Sequence, residues 1–172
     1  MKNIFKYILV VAIVAVVLIA GVSYVLITEE SHFDLPTQNS INTITGKNLT
    51  ASKLITKGAQ KNTTKTETMY YNNTSANVRI VIMEVEFNSS KIASDKYTHF
   101  FMEIPSGAKF IFKNSTYDGF RYTGVNITYN GASSTAALGV KGKMLFVISG
   151  SGMSNPTLQK AAKSIISSMT SI

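Results

Sequence analysis

The sequence predicts an α+β protein: a single N-terminal transmembrane helix followed by a small domain with a mainly antiparallel sheet and two or three packed helices. Three observations carry this. Residues 7–27 run for twenty-one positions without a charge. Beyond residue 65, six segments rich in β-branched and aromatic residues are separated by short links containing Asn, Asp or Gly. Two segments, 90–104 and the chain end from Asn155, place apolar residues at helical intervals.

The apolar run extends from Ile4 to Ile27, and its charge-free part is about 30 Å long as a helix, which matches a hydrocarbon core. A secretory signal has a shorter core, about 7 to 15 residues, and a small-residue cleavage site, so an uncleaved signal-anchor is expected. Lys2 and Lys6 precede the run while Glu29, Glu30 and Asp34 follow it, which keeps the N-terminus in the cytoplasm and sends the rest outside. Tyr7 and Tyr24 fall near the two membrane interfaces, and Ala12, Ala15, Ala20, Gly21 and Ser23 offer small residues for helix packing. Val22 stands where a lipoprotein signal would need cysteine.

The expected organisation is therefore a cytoplasmic tip and anchor over 1–27, a polar stalk over 28–46 and an extracytoplasmic α+β domain over 47–172. The stalk contains Pro36 and several Asn, Ser and Thr, with no clear periodicity. Leu49, Leu54, Ile55 and Ala59 suggest a short helix over 48–60. Strands over 66–71 and 78–87 form a hairpin around Asn72-Asn73-Thr74-Ser75, and the second is apolar on both faces, as a central strand would be.

A helix over 90–104 carries Ala93, Tyr97, Phe100, Phe101 and Ile104 on one stripe, with Asn88 or Ser89 as cap. Four strands follow over 109–113, 119–129, 135–140 and 143–149, with short links that favour antiparallel neighbours. The last helix has Asn155 as cap and Pro156 as its first residue, and Leu158, Ala161, Ala162, Ile165, Ile166 and Met169 recur at helical spacing.

Composition narrows the chemistry. The chain has no cysteine, so disulfides, thiolate metal sites and thiol nucleophiles are excluded. Net charge is +8, of which Lys2 and Lys6 supply two, leaving about +6 for the outer domain; the excess reflects only nine carboxylates. Scarce carboxylates suit an acidic exterior.

Seven N-x-[ST] sequons stand at Asn48, Asn62, Asn72, Asn73, Asn88, Asn114 and Asn126, an excess that makes N-glycosylation of the outer domain an expectation. Lys53, Lys57, Lys61 and Lys65 would line up on a continuous helix, but like charges at that spacing repel, and a solvated face is the better reading. Gly139-Val140-Lys141-Gly142-Lys143 lacks the leading Gly and trailing Ser or Thr of a phosphate loop and reads as a hairpin turn. Ser149-Gly150-Ser151-Gly152 lacks nucleophile-elbow spacing and reads as a flexible connection.

Glu84 and Glu86 share one strand face and are expected as a polar strand end facing Lys109 and Lys113. His32 and His99 lack the spacing of a metal site. The aromatic residues of the strands, Tyr70, Tyr71, Tyr117, Phe120, Tyr122 and Tyr129, default to core packing, with Phe120 and Tyr122 on one face.

No catalytic residue, cofactor motif or metal-ligand set is legible, and nucleic acid is not expected as a partner without a recognition motif. In its sequons, signal-anchor and lack of cysteine the chain resembles archaeal surface proteins in composition. The expected partners are the lipid bilayer, through residues 4–27, and an envelope or membrane protein. A non-enzymatic envelope binding or structural protein is the first functional expectation; an extracytoplasmic enzyme or small-ligand-binding domain is the second.

Overall fold

The computed structural model describes residues 35–57, 62–73, 75, 78–104, 107–129 and 132–170. The expected transmembrane segment lies outside them, and no helix among the described residues is long and apolar enough to cross a membrane.

Among the described residues, three helices and seven strands follow in the order α1 (Gln38–Thr45), β1 (Thr50–Lys57), β2 (Thr63–Asn73), β3 (Val78–Phe87), α2 (Ser90–Met102), β4 (Lys109–Tyr117), β5 (Phe120–Tyr129), β6 (Ala132–Lys141), β7 (Met144–Ser151) and α3 (Asn155–Thr170). The strands form one sheet in the order β1-β2-β3-β7-β6-β5-β4, and all six pairings are antiparallel. Two meanders, β1 to β3 and β4 to β7, thus join along β3 and β7. The α+β class with a mainly antiparallel sheet holds.

Two elements differ from expectation. Residues 48–60, expected as a helix, contain strand β1, paired along its whole length with β2 from Thr50 opposite Asn72 to Lys57 opposite Lys65. The loose helical spacing there is outweighed by a full antiparallel ladder to a distant segment. The stretch expected as stalk contains α1, capped by the Thr37 hydroxyl, which accepts from the Ser40 N–H at 3.2 Å, and ended by Gly46 at φ 65°. Only Ile41 of α1 is fully buried, so its apolar stripe is too narrow to show as a period.

Strands β2, β4, β6 and β7 extend beyond their expected limits by a few residues, because ladder pairing continues through polar positions, while β3 has the expected limits and β5 starts one residue later. Helix α2 is capped by Ser89, whose hydroxyl accepts from the Ile92 N–H. At α3 the capping role shifts by one residue: the Ser154 hydroxyl accepts from the Thr157 N–H, and Asn155 is the first helical residue.

The sheet is apolar on both faces. On one, α1 and α3 cover Tyr71, Ile80, Ile82, Phe120, Tyr122, Phe146 and Ile148. On the other, Ala93 and Tyr97 of α2 pack on Met83, Val85, Phe87, Leu138, Val140, Leu145 and Val147. Central strand β3 contributes to both cores, as its two apolar faces predict.

The ends of the sheet have different roles. The chain enters at the end where β1 begins: the Tyr71 hydroxyl donates to the Pro36 carbonyl, and the Ala51 N–H donates to the Gln38 side chain at 3.0 Å. At the opposite end lie the β4–β5 turn, the β6–β7 turn and the start of α2. Asp118 at φ 49° and Gly119 at φ 78° make the first of these a tight two-residue turn, the conformation that an Asp-Gly pair favours.

Candidate functional site

The end of the sheet opposite the chain entry carries a shallow groove of about 520 Å³, open to solvent, between the first turn of α2 and the β4–β5 and β6–β7 turns. Three cations line it, each from a different element: Lys91 of α2, Arg121 of β5 and Lys141 of β6; Asp95 is the single carboxylate. Buried Val140 forms part of the floor.

Two of the cations are held in place. The Arg121 guanidinium lies 4.7 Å from the centre of the Tyr97 ring and donates to the Ser94 hydroxyl at 3.4 Å. The Lys141 ammonium donates to the Asp118 carbonyl at 3.1 Å and stands 5.6 Å from the Phe120 ring centre. Lys91 makes only an exposed i,i+4 pair with Asp95, at 3.3 Å, which solvent screens and a ligand can displace. Beneath Arg121, the buried Tyr97 hydroxyl meets Thr123 at 3.0 Å, and Thr123 also accepts from the Asn114 N–H at 2.8 Å. This ties α2, β4 and β5 together behind the groove.

A second polar feature lies inside the molecule. Glu67 of β2 and Glu84 of β3 are directly opposite in register, and both are fully buried. The Lys65 ammonium contacts Glu67 at 3.1 Å, with the lysine side chain only 11% exposed. Glu84 therefore does not face Lys109 and Lys113 as expected, since β7, β6 and β5 separate β3 from β4. Glu86, two residues on, is half-buried beside Lys65. Glu67 was not legible as a partner because the pairing register that brings it to Glu84 is set by the hairpin as a whole.

Two phenols are shifted by burial, Tyr71 beside this acid pair and Tyr97 on the opposite face of the sheet. Burial pushes the Tyr71 hydroxyl well above the usual range, and the Glu84 charge pushes the same way. Burial also raises Tyr97, while the Thr123 hydrogen bond and Arg121 act against it. Both phenols hold their protons more tightly folded than unfolded, so stability is intact below the unfolded value of about 10 and falls as pH rises above it. Urea midpoints followed by far-UV circular dichroism should decline from about pH 10 upward. The decline should be shallower in Tyr71→Phe; parallel curves would show that this phenol does not set the alkaline limit.

The other expected residues are dispersed. His99 is exposed on α2 and pairs with Glu103 at 3.2 Å. Lys53 and Lys57 belong to β1 and Lys65 to β2, so the lysines form no helical stripe; Lys61 is outside the described residues. Gly142-Lys143 forms the β6–β7 turn as the hairpin reading expects. Ser149, Gly150 and Ser151 belong to β7 rather than to a flexible connection, and a Cβ at Gly150 would stand 2.6 Å from the Arg79 carbonyl oxygen.

Among the sequons, Asn48, Asn62, Asn72, Asn88 and Asn114 are exposed, while Asn73 and Asn126 are half-buried. The Asn73 amide donates to the Asn48 carbonyl at 2.6 Å, and that of Asn126 donates to Asn155 at 3.3 Å. Phe120, Tyr122 and Tyr71 are core residues, and Tyr117 is 37% exposed. Lys91 and Arg121 were missed as site residues, and Lys141 entered only within the rejected phosphate-loop pattern; the one sequence signal of Arg121 and Lys141 is a basic residue beside each Gly-containing turn.

Fold and groove define a small α+β head, one antiparallel sheet between helices with a basic opening at one end. The extracellular domain of PknH from Mycobacterium tuberculosis has this fold: it superposes with a TM-score of 0.57 at 11% identity, over 80% of this chain and 93% of that one. An uncharacterized protein from Mycobacterium smegmatis superposes with a TM-score of 0.39 at 7% identity, over 61% of this chain and 64% of that one, a likeness too slight to indicate a shared fold. No protein-family model matches the sequence, and no curated protein matches it.

Proposed function

We propose that this chain is a membrane-tethered extracytoplasmic binding protein, whose segment 4–27 spans the cytoplasmic membrane and whose α+β head binds a ligand or partner in the envelope. The observation that carries this reading is the twenty-one-residue uncharged run of 7–27 behind Lys2 and Lys6, long enough to cross a bilayer and flanked so that its N-terminal tip stays inside. A fold in common with an extracellular domain supports the same compartment. The groove supports binding: it is open, its cations come from three elements, and two of them are held, Arg121 by the Ser94 hydroxyl and Lys141 by the Asp118 carbonyl. Glycans would sit on the exposed sequons Asn48, Asn62, Asn72, Asn88 and Asn114.

The absence of native cysteine makes the test clean. A single Thr116→Cys variant, on the exposed edge strand β4, should react with a membrane-impermeant maleimide in intact cells, while Asn3→Cys should react only after permeabilisation. The reverse pattern would overturn the topology, and release of the head by an alkaline wash would overturn the anchor. Intact mass of the same material reads out any glycan.

A further inference from the structure

We propose that the α2–β4 corner of the head seats on the surface of the protein's own bilayer, so that tether and corner together hold the head upright; this rests on the membrane-anchored reading above. Two observations meet at that corner. The two most exposed large apolar side chains among the described residues, Met102 at 74% and Phe110 at 45%, flank the connection from α2 to β4. The same connection lies at the end of the sheet where the chain enters: β4 begins opposite Asn126, near the end of β5, and Tyr71, near the end of β2, holds Pro36.

Isolated apolar side chains are common on protein surfaces, and it is their place that gives these two a partner. Residues 28–34 reach about 25 Å at most, which limits how far Leu35, buried in the head, can stand from the outer end of the anchor. The entry end is therefore the one held beside the bilayer, and the turns at the other end stand about 30 Å further out for strands of this length. Across the entry end, β2 and β4 are five strand spacings apart, about 24 Å. Leu35 and Pro36 fasten one side of this end, and Met102 and Phe110 occupy the other. A head held at one point is free to tilt; a second contact removes that freedom.

The local chemistry suits headgroups lying over acyl chains. The Lys113 ammonium stands 4.8 Å from the centre of the Phe110 ring, so the ring can enter the boundary while the cation stays among lipid phosphates. Lys109, exposed at the start of β4, adds a second cation, and Glu103, the carboxylate of this corner, already pairs with His99. Methionine is unbranched and adaptable, so Met102 needs no fixed pocket to pack among chains. Asn48 and Asn72, the exposed sequons at this end, belong to its β1–β2 side, and a glycan on either leaves the α2–β4 corner clear.

The chain has no tryptophan, so a single one reports on its own surroundings. Gly107 is an exposed position in the α2–β4 connection where a Cβ meets nothing within 4 Å, and Gly107→Trp leaves Met102 and Phe110 in place. The full-length variant is reconstituted into vesicles of phosphatidylcholine and phosphatidylglycerol, and its emission is compared with that in vesicles whose phosphatidylcholine is brominated on the acyl chains. Emission should fall at least about twofold, since an interfacial side chain reaches about 5–10 Å into the boundary between headgroups and chains. Tyr117→Trp, at the opposite end of the sheet, should lose almost nothing. Adding Met102→Ser and Phe110→Ser to Gly107→Trp should abolish most of the drop; both native side chains are exposed, so the head keeps its core.

Undiminished emission of Gly107→Trp, an equal drop for Tyr117→Trp, or a drop that survives the two serines would overturn the proposal. Flotation of the vesicles after an alkaline wash separates the two readings. Protein that floats without quenching sinks the docking alone, whereas protein left behind overturns the anchor and the docking with it.

Discussion

Gly139→Val is expected to lower the unfolding free energy by about 3 kcal/mol, the upper part of the usual range for overpacking a core. On the α1/α3 face, Gly139 of β6 is the register partner of Phe146 of β7, and the Phe146 ring lies over it. A Cβ at Gly139 would stand 2.1, 2.6 and 2.9 Å from three carbons of that ring. The ring has nowhere to go, since Phe146 is fully buried and packs 6.0 Å, centre to centre, from Phe120. The same device recurs on β5, where a Cβ at Gly124 would stand 2.3 Å from the Phe112 ring. Far-UV circular dichroism during urea unfolding is the suitable measurement, because the chain has no tryptophan. A double-mutant cycle identifies the cause: Gly139→Ala should cost at least about 1 kcal/mol less in a Phe146→Leu background than alone. Additive costs would show that the ring is not the obstacle.

Lys65→Met should destabilise the head by about 3 kcal/mol, because it removes a cation from a buried carboxylate and leaves that carboxylate opposite another. Lys65 contacts Glu67 at 3.1 Å, and Glu67 faces Glu84 across the β2–β3 ladder with both acids fully buried. Methionine keeps most of the aliphatic stem, so the loss reports charge rather than packing. Neutralising the acid as well, in Lys65→Met with Glu67→Gln, should recover most of the stability, since a buried ion pair contributes little net beyond what each member needs from the other. Equal stability of Lys65→Met and the parent would show that the lysine does not hold the carboxylate pair. A double variant no better than the single would place the loss in packing instead.

Much of the fold was legible, and the legible parts share a cause. Strand β3 and helix α3 carry apolar patterns long enough to declare themselves, with β3 apolar on both sides and α3 repeating over four turns. Short elements lacked that redundancy. Helix α1 shows its caps, Thr37 and Gly46, but buries only Ile41 fully, so no stripe marked it. Strand β1 carries apolar residues at intervals compatible with either period, and eight register pairs with β2 decided the matter.

The candidate site was less legible than the fold, for a related reason. Lys91, Arg121 and Lys141 are up to fifty positions apart and lie beside ordinary turns or helix starts, so nothing local distinguishes them from solvated surface lysines and arginines. They come to the same end of the sheet because β5 and β6 are neighbours and α2 starts beside their ends, Arg121 lying on the face that α2 crosses and Lys141 on the opposite face over Phe120.

By itself the sequence determined the α+β class, the central strand, the hairpin turns and the long C-terminal helix, since periodicity and turn chemistry are properties of neighbouring residues. Only tertiary structure decided the sheet order, the burial of Glu67 against Glu84, the rings over Gly124 and Gly139 and the gathering of three cations at one end. Each of these depends on which distant segments pair and in what register, and that is settled by packing energy summed over the whole sheet.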